Sequence, residues 1–314
     1  MNAALPATGD ARWADWRRMQ VTQLVRRIYL NAIAVKPRLV VSAAVIAFGA
    51  APVDAAGWLG AEAYWRVYQD WRAWLEEGIL DVAMPMVYRR EHDRTQASQF
   101  DQWLDWFVPR HYGRAVVAGE GAFVNSVEGT LAQTRRGLAP RAGERAAGVA
   151  LYSMATASAA VVANPLSLPP AQNTPVRNID ELASGLTSGQ SGDGRTRYEP
   201  VDRYPPVFAD AAFVPALPWK AAPVHGHLLG FIVDEDGEPF DGAAVRLVDT
   251  KTGIERSTES DGGGFYGFVD LPPGRYVLHG TADGRQVNAI AVTITAGLVT
   301  EADTTARSVR HHEP

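Results

Sequence analysis

YQDWRAWLEEGILDVAMPMVY, residues 68–88, is the stretch whose reading decides the fold class of this chain. Trp71 and Trp74 stand three apart, as on one face of a helix, and Gly78 stops the pattern. The run from Ile79 to Tyr88 that follows is almost wholly apolar. A continuous apolar run directly after an amphipathic helix is the pattern of a strand buried on both faces, which is the habit of parallel sheets. Pro85 within the run is unusual for a central strand, because proline has no N–H to give to a ladder.

The same alternation extends in both directions. Residues 13–35 carry Trp16, Met19, Val21, Leu24, Val25, Ile28 and Ile33 at near-helical spacing, and Pro37 closes that helix. Strands are predicted over residues 39–47, 79–88, 115–119 and 148–154, and helices over 61–77, 100–107 and 127–138. Four helix–strand units with buried strands indicate an α/β arrangement with helices outside a parallel sheet. A full (β/α) barrel has eight such units in about 250 residues. Residues 1–160 therefore make either a small open sheet or the last four units of a TIM-type barrel. Residues 36–56, with a basic start and an apolar run, look like a signal peptide but read as one of the buried strands. The residues before them, with Asp10, Arg12 and Asp15, offer no apolar export segment.

Beyond Ser158 the texture changes. Residues 161–223 are rich in Pro, Ser and Gly, as in SLPPAQNTP and SGQSGDGRTR, and read as a linker. Its aromatics, among them Tyr204, Phe208 and Trp219, are expected to lie along a surface. From 224 to 305 the period becomes two, with turn signals DEDGEP, DTKTG, SDGGG, LPPG and ADGR between short strands, which predicts an antiparallel β-sandwich. Residues 306–314 read as a disordered tail.

Composition narrows the function. With 30 Lys and Arg against 35 Asp and Glu, net charge −5, the chain lacks the basic footprint of a nucleic-acid binder. The pairs Arg17-Arg18 and Arg26-Arg27 read as a solvated helix face. No cysteine is present, which removes thiolate chemistry and Cys-ligated metals. His92 has no second histidine at ligand spacing, and Asp234, Asp236 and Asp261 sit in glycine-rich hairpin turns, so no metal or other cofactor is expected. Ser42 and Ser153 have no recognisable His partner, and no run is long enough to span a bilayer.

WADWRRMQVTQLVRRI, RLVVSAAV, the 68–88 stretch, AGEGAFVNS, EGTLAQTRR and GVALYSMA, in this order, resemble the later half of the glycosyl hydrolase-like 10 family of bacterial (β/α) barrels. DGEPFDGAAVRLVD and SDGGGFYGFVDLPPGRYVL resemble the carboxypeptidase regulatory-like fold. The first resemblance implies an exported protein, extracellular or periplasmic, acting on polysaccharide, with bacterial cell-wall glycan as one substrate. It also implies an acid on a fourth strand ahead of the WRR helix, a segment absent from this chain, so the barrel is expected to be truncated. Exposed barrel edges would then favour self-association. The alternative is a non-catalytic carbohydrate-binding or cell-surface scaffold.

Glycoside hydrolysis needs two carboxyls, about 5–5.5 Å apart for retention or about 6.5–9.5 Å for inversion, and in a barrel they project from strand C-termini. Glu120, directly after the 115–119 strand, is the candidate catalytic acid. Asp70 and Asp81 are placed as structural, and Glu91 and Asp93 as members of a solvated loop. Tyr88, Asn125 and Tyr152, at strand ends or just past them, are the candidate sugar-binding residues, by stacking and paired hydrogen bonds. Trp71, Trp74, Trp103 and Trp106 read as core.

Overall fold

The computed structural model describes residues 7, 9–153, 157–158, 177–187, 205–282 and 285–307. The described residues form two compact units, one drawn from 42–76 and 82–215, the other from 1–41, 77–81 and 216–314.

The first unit is built on four parallel strands, β1 (Ser42–Ile46), β2 (Val82–Met86), β3 (Ala115–Gly121) and β4 (Gly148–Tyr152), in the order β1-β2-β3-β4. Pro85 does lie in the inner strand β2. It pairs with Val45 on β1, and on the other side the β2–β3 register lapses at Met84 and Pro85 before resuming at Met86 opposite Gly119. The expected 61–77 helix is two short ones, α2 (Glu62–Trp65) and α3 (Trp71–Glu77). Between them Tyr68 turns to φ 59°, and the Gln69 side chain accepts the Ile46 N–H at 3.0 Å, so the break serves the end of β1.

Helix α4 (Arg94–Phe107) starts earlier than its apolar spacing predicts, because Asp93 caps it by accepting the N–H groups of Thr95 and Gln96 at 2.9 and 3.1 Å. Those N–H donors, Gln96 first, hold the Asp93 carboxyl below its usual range. Helix α5 (Val127–Leu138) is capped by Ser126 and carries Glu128 in its first turn and Arg135 and Arg136 in its last, each sign matched to the helix dipole. Trp71, Trp103 and Trp106 are buried and cluster with Trp58, whose ring stacks on Trp106 at 4.9 Å and meets Trp71 edge-on at 4.9 Å. Within the stretch read as linker, α6 (Arg177–Thr187) packs on α5 through Leu182 and Leu131, where a Cβ on Gly185 would overlap Leu131. The rest of 159–204 lies outside the described residues.

The second unit joins α1 (Ala11–Val35) and the short α7 (Pro218–Ala221) to strands β5 (Gly226–Val233), β6 (Ala244–Asp249), β7 (Glu255–Glu259), β8 (Phe265–Leu271), β9 (Gly274–Ala282), β10 (Arg285–Ile294), β11 (Val299–Glu301) and β12 (Thr304–Arg307). The sheet runs β11-β5-β12-β10-β9-β6-β7 with β8 on β5, and it is antiparallel except where β5 pairs β11 and β12. Leu228, Ile232, Leu247, Tyr266, Phe268 and Leu278 are among its core side chains. Asp234 and Asp261 tie turns, the Oδ1 of each taking two backbone N–H groups between 2.8 and 3.0 Å.

Helix α1 lies on β8, where Leu30 occupies the space a Cβ on Gly267 would take. Of the arginine pairs expected on a solvated face, the second is used for docking: Arg26 binds Glu77 at 2.5 Å, and Arg27 binds Asp261 at 3.3 Å and lies over Phe265, whereas Arg18 is buried and pairs with Asp15 on the same helix at 2.7 Å. Spacing along α1 could not reveal these partners, since Glu77 and Asp261 are distant in the chain.

Candidate functional site

In a parallel sheet, residues just past the strand C-termini share one rim. At the rim of this sheet the structure brings Tyr88 after β2, Phe123 after β3 and Tyr152 at the end of β4 into one aromatic group. Tyr88 and Tyr152 stack at 5.7 Å with an interplanar angle of 21°. Phe123 meets both edge-on, at 5.7 and 5.9 Å. Tyr152 is 57% exposed, whereas Tyr88 is half-buried, and burial followed by the neighbouring Tyr152 raises the Tyr88 hydroxyl above its usual pKa. Gly121 makes room for the group, since a Cβ there would come within 3.0 Å of the Tyr88 Cβ.

Two residues brace the rim from beneath. Asn125 is buried and its amide is fully engaged, with Nδ2 donating to the carbonyls of Arg89 and Gly121 at 2.8 and 3.2 Å and Oδ1 accepting the Glu91 N–H at 2.7 Å. It holds the loops after β2 and β3 together, and it presents no amide to a ligand. Arg89, also buried, donates to the carbonyls of Ala47 and Gly49 past β1 and of Tyr88 past β2. Burial depresses its pKa.

Glu120 points elsewhere. Strand alternation puts Gly119 and Gly121 on one face of the sheet and sends Ala118 and Glu120 to the other, toward α5, where a Cβ on Gly137 would lie 2.9 Å from Glu120 Oε1. Glu120 is wholly buried, and this burial pushes its pKa up to about 8 against the weaker opposing pull of Thr134 and Arg136. The hydrogen bonds agree with a neutral acid. Thr134 Oγ1 lies 2.7 Å from Glu120 Oε2 and 3.0 Å from the Thr130 carbonyl, and one hydroxyl proton cannot serve both. If Glu120 carries the proton it donates to Thr134, which donates onward to Thr130. Oε1 has no hydrogen-bond partner.

The other acids near the rim are engaged. Glu91 receives Arg136 at 2.5 and 2.7 Å and Gln133 at 3.2 Å, in a network that continues through Asp101 to Arg141. Asp70, just ahead of α3, accepts the Trp58 indole N–H at 2.7 Å and the Ala73 N–H at 3.3 Å. The structure thus joins Tyr88 and Tyr152, leaves Asn125 beneath them, and turns Glu120 to the opposite face of β3. Phe123 and Arg89 escaped the sequence reading. Phe123 sits in a glycine-led turn with no periodicity, and Arg89 is one of an Arg-Arg pair in a charged loop. Among the described residues no cluster of three or more His, Asp or Glu could hold a metal, and no helix is long and apolar enough to cross a membrane.

Residues 1–133 match the family model described as Glycosyl hydrolase-like 10, and residues 227–307 match that of the Carboxypeptidase regulatory-like domain, in the order the motifs imply. No curated protein matches the chain. Among solved structures, the chain is similar to the TIE protein of Bacillus anthracis (16% identity, TM-score 0.23, 26% of this chain and 17% of that one). It is also similar to a major pilin subunit of Bacillus cereus (17%, TM-score 0.24, 27% and 31%) and to a minor pilin of Streptococcus agalactiae (23%, TM-score 0.24, 29% and 48%). The chain spans less than a third of the length of the first two.

Proposed function

We propose that this glycosyl hydrolase-like chain binds polysaccharide outside the cytoplasm, with Tyr88, Phe123 and Tyr152 as the surface that stacks a sugar ring. On this reading the parallel sheet is part of a TIM-type barrel, the C-terminal strands are a sandwich-type accessory module, and bacterial cell-wall glycan is the substrate class. The aromatic group at the strand C-termini carries the proposal. Its faces are apolar, its hydroxyls are polar, and it lies on the rim where barrel enzymes place their ligands. Retention of the full chain on insoluble peptidoglycan and on soluble glycans tests it. Tyr152→Ala should lower affinity about fivefold, the worth of one stacking contact of roughly 1 kcal/mol. Equal retention of the two proteins would sink the reading.

A second reading, hydrolysis with Glu120 as proton donor, draws support from the pKa of about 8, since such an acid holds its proton at neutral pH. It requires the buried carboxyl to reach a glycosidic oxygen and a second carboxyl to face it. Glycan turnover that Glu120→Gln abolishes without loss of binding would favour it over simple binding.

A further inference from the structure

The second unit encloses a cavity of about 270 Å³ between α1, α7 and the start of β5. Three features of its wall are unusual for a mere packing gap.

The first is a β-bulge. On β5 and β8, Gly226 pairs Leu271 and Leu228 pairs Phe268, so Val269 and Asp270 together face the single residue His227. Asp270 adopts φ 53°, a left-handed conformation rare outside glycine. Its N–H, diverted from the ladder, donates to His227 Nδ1 at 3.2 Å. That bond sets the imidazole orientation and, in the neutral ring, places the proton on Nε2. Bulges and strained residues of this kind commonly re-aim a side chain at a site.

The second is a rigid aromatic and cationic floor. Asp81, fully buried, accepts the Trp219 indole N–H at 2.7 Å, the Tyr29 hydroxyl at 3.1 Å and the Val41 N–H at 2.8 Å, and pairs with Lys220 at 3.0 Å. Trp219, Tyr29 and Lys220 all line the cavity, so one carboxylate holds three of its walls in place. The third is Arg38, exposed on the wall with no hydrogen bond or ion pair to any described residue.

We propose that this cavity binds an acidic sugar unit, a single hydroxylated ring bearing a carboxylate. Arg38 takes the carboxylate, the half-buried Trp219 takes the ring face, and His227 and Asp270 take hydroxyls. The volume sits just below the usual range of ligand clefts, roughly 300 Å³ upward, which suits one ring and not two. The site is independent of the Tyr88 rim and requires nothing of it.

Ligand-observed NMR on the full chain tests this with three probes: glucuronate, glucose, and an oligosaccharide ending in glucuronate. Glucuronate should bind at least about tenfold more tightly than glucose, the scale of one charge-assisted bidentate contact. Arg38→Ala, a change at an exposed residue with no partner among the described residues, should erase that preference, Arg38→Lys should restore part of it, and Tyr152→Ala should leave it intact. Binding of the monomer alone identifies a free acidic sugar as the source, and binding of the oligosaccharide identifies a glycan terminus. No binding of either glucuronate probe up to ~10 mM, equal binding of glucose, or an unchanged preference in Arg38→Ala overturns the proposal.

Discussion

Asp81 and Glu120 are both fully buried carboxyl groups, one in each compact unit, and their surroundings are opposite. Asp81 is met by a lysine, an indole, a phenol and a backbone N–H. Glu120 is met by one threonine hydroxyl, with its other oxygen facing the backbone of Gly137. Burying a carboxylate is costly unless donors replace the lost water. The α1–α7 unit supplies those donors and uses the acid as a framework. The parallel-sheet unit does not, and the acid responds by holding its proton. Burial alone therefore does not tell what an acid does; the inventory of donors around it does.

Asp81→Ala should be the most damaging change. It strands Lys220, itself nearly buried, together with three hydrogen-bond donors, at a cost of about 4 kcal/mol in chemical denaturation. A loss below about 1 kcal/mol would mean water replaces the carboxylate and the contrast with Glu120 is false.

Glu120→Gln probes the other side. Because the folded pKa of about 8 lies above the ordinary 4.5, the group's contribution to stability is fully present below pH 4.5 and is lost as the pH rises through 8. Glutamine removes that dependence. The variant should be the more stable protein above pH 8, and the advantage should shrink toward pH 5. Parallel stability–pH curves for the two proteins would show that Glu120 is ionised in the fold.

Gly137→Ala sharpens the same point with a smaller effect. A Cβ at 2.9 Å from Glu120 Oε1 and 3.1 Å from Val149 Cγ1 should cost about 1–2 kcal/mol, enough to exceed the roughly 1 kcal/mol that alanine adds to a helix. Combined with Glu120→Ala, the penalty should fall, and the double-mutant cycle reads the coupling.

Much of the fold was legible along the chain. The 127–138 helix was read at its true bounds, because Ser126 and Leu138 bracket a clean pattern with charges placed to suit its dipole. The apolar runs overstate three strands, since apolar residues continue beyond the ladder bonds of β1, β2 and β4, whereas β3 runs on through Glu120 and Gly121, where the apolar pattern has stopped. The break at Arg66–Asp70 was hidden, because it answers an N–H on Ile46 that local spacing does not contain. Of the candidate site, Tyr88 and Tyr152 were visible as aromatics at strand ends. Phe123, which closes the group, was not, and Asn125 was visible as a polar residue whose amide the fold uses up.

The sequence by itself determined the alternation of helix and strand up to residue 152, where the period changes from 3.6 to two, and which turns aspartate and glycine make. These follow from local spacing and local hydrogen bonds. Only the tertiary structure decided which way each strand residue faces, that α1 lies on β8, and which donors meet each buried acid. The partners there lie far apart in the chain, Tyr29 with Asp81 and Lys220, Arg27 with Asp261, Glu120 with Gly137, and no periodicity encodes a contact between segments that distant.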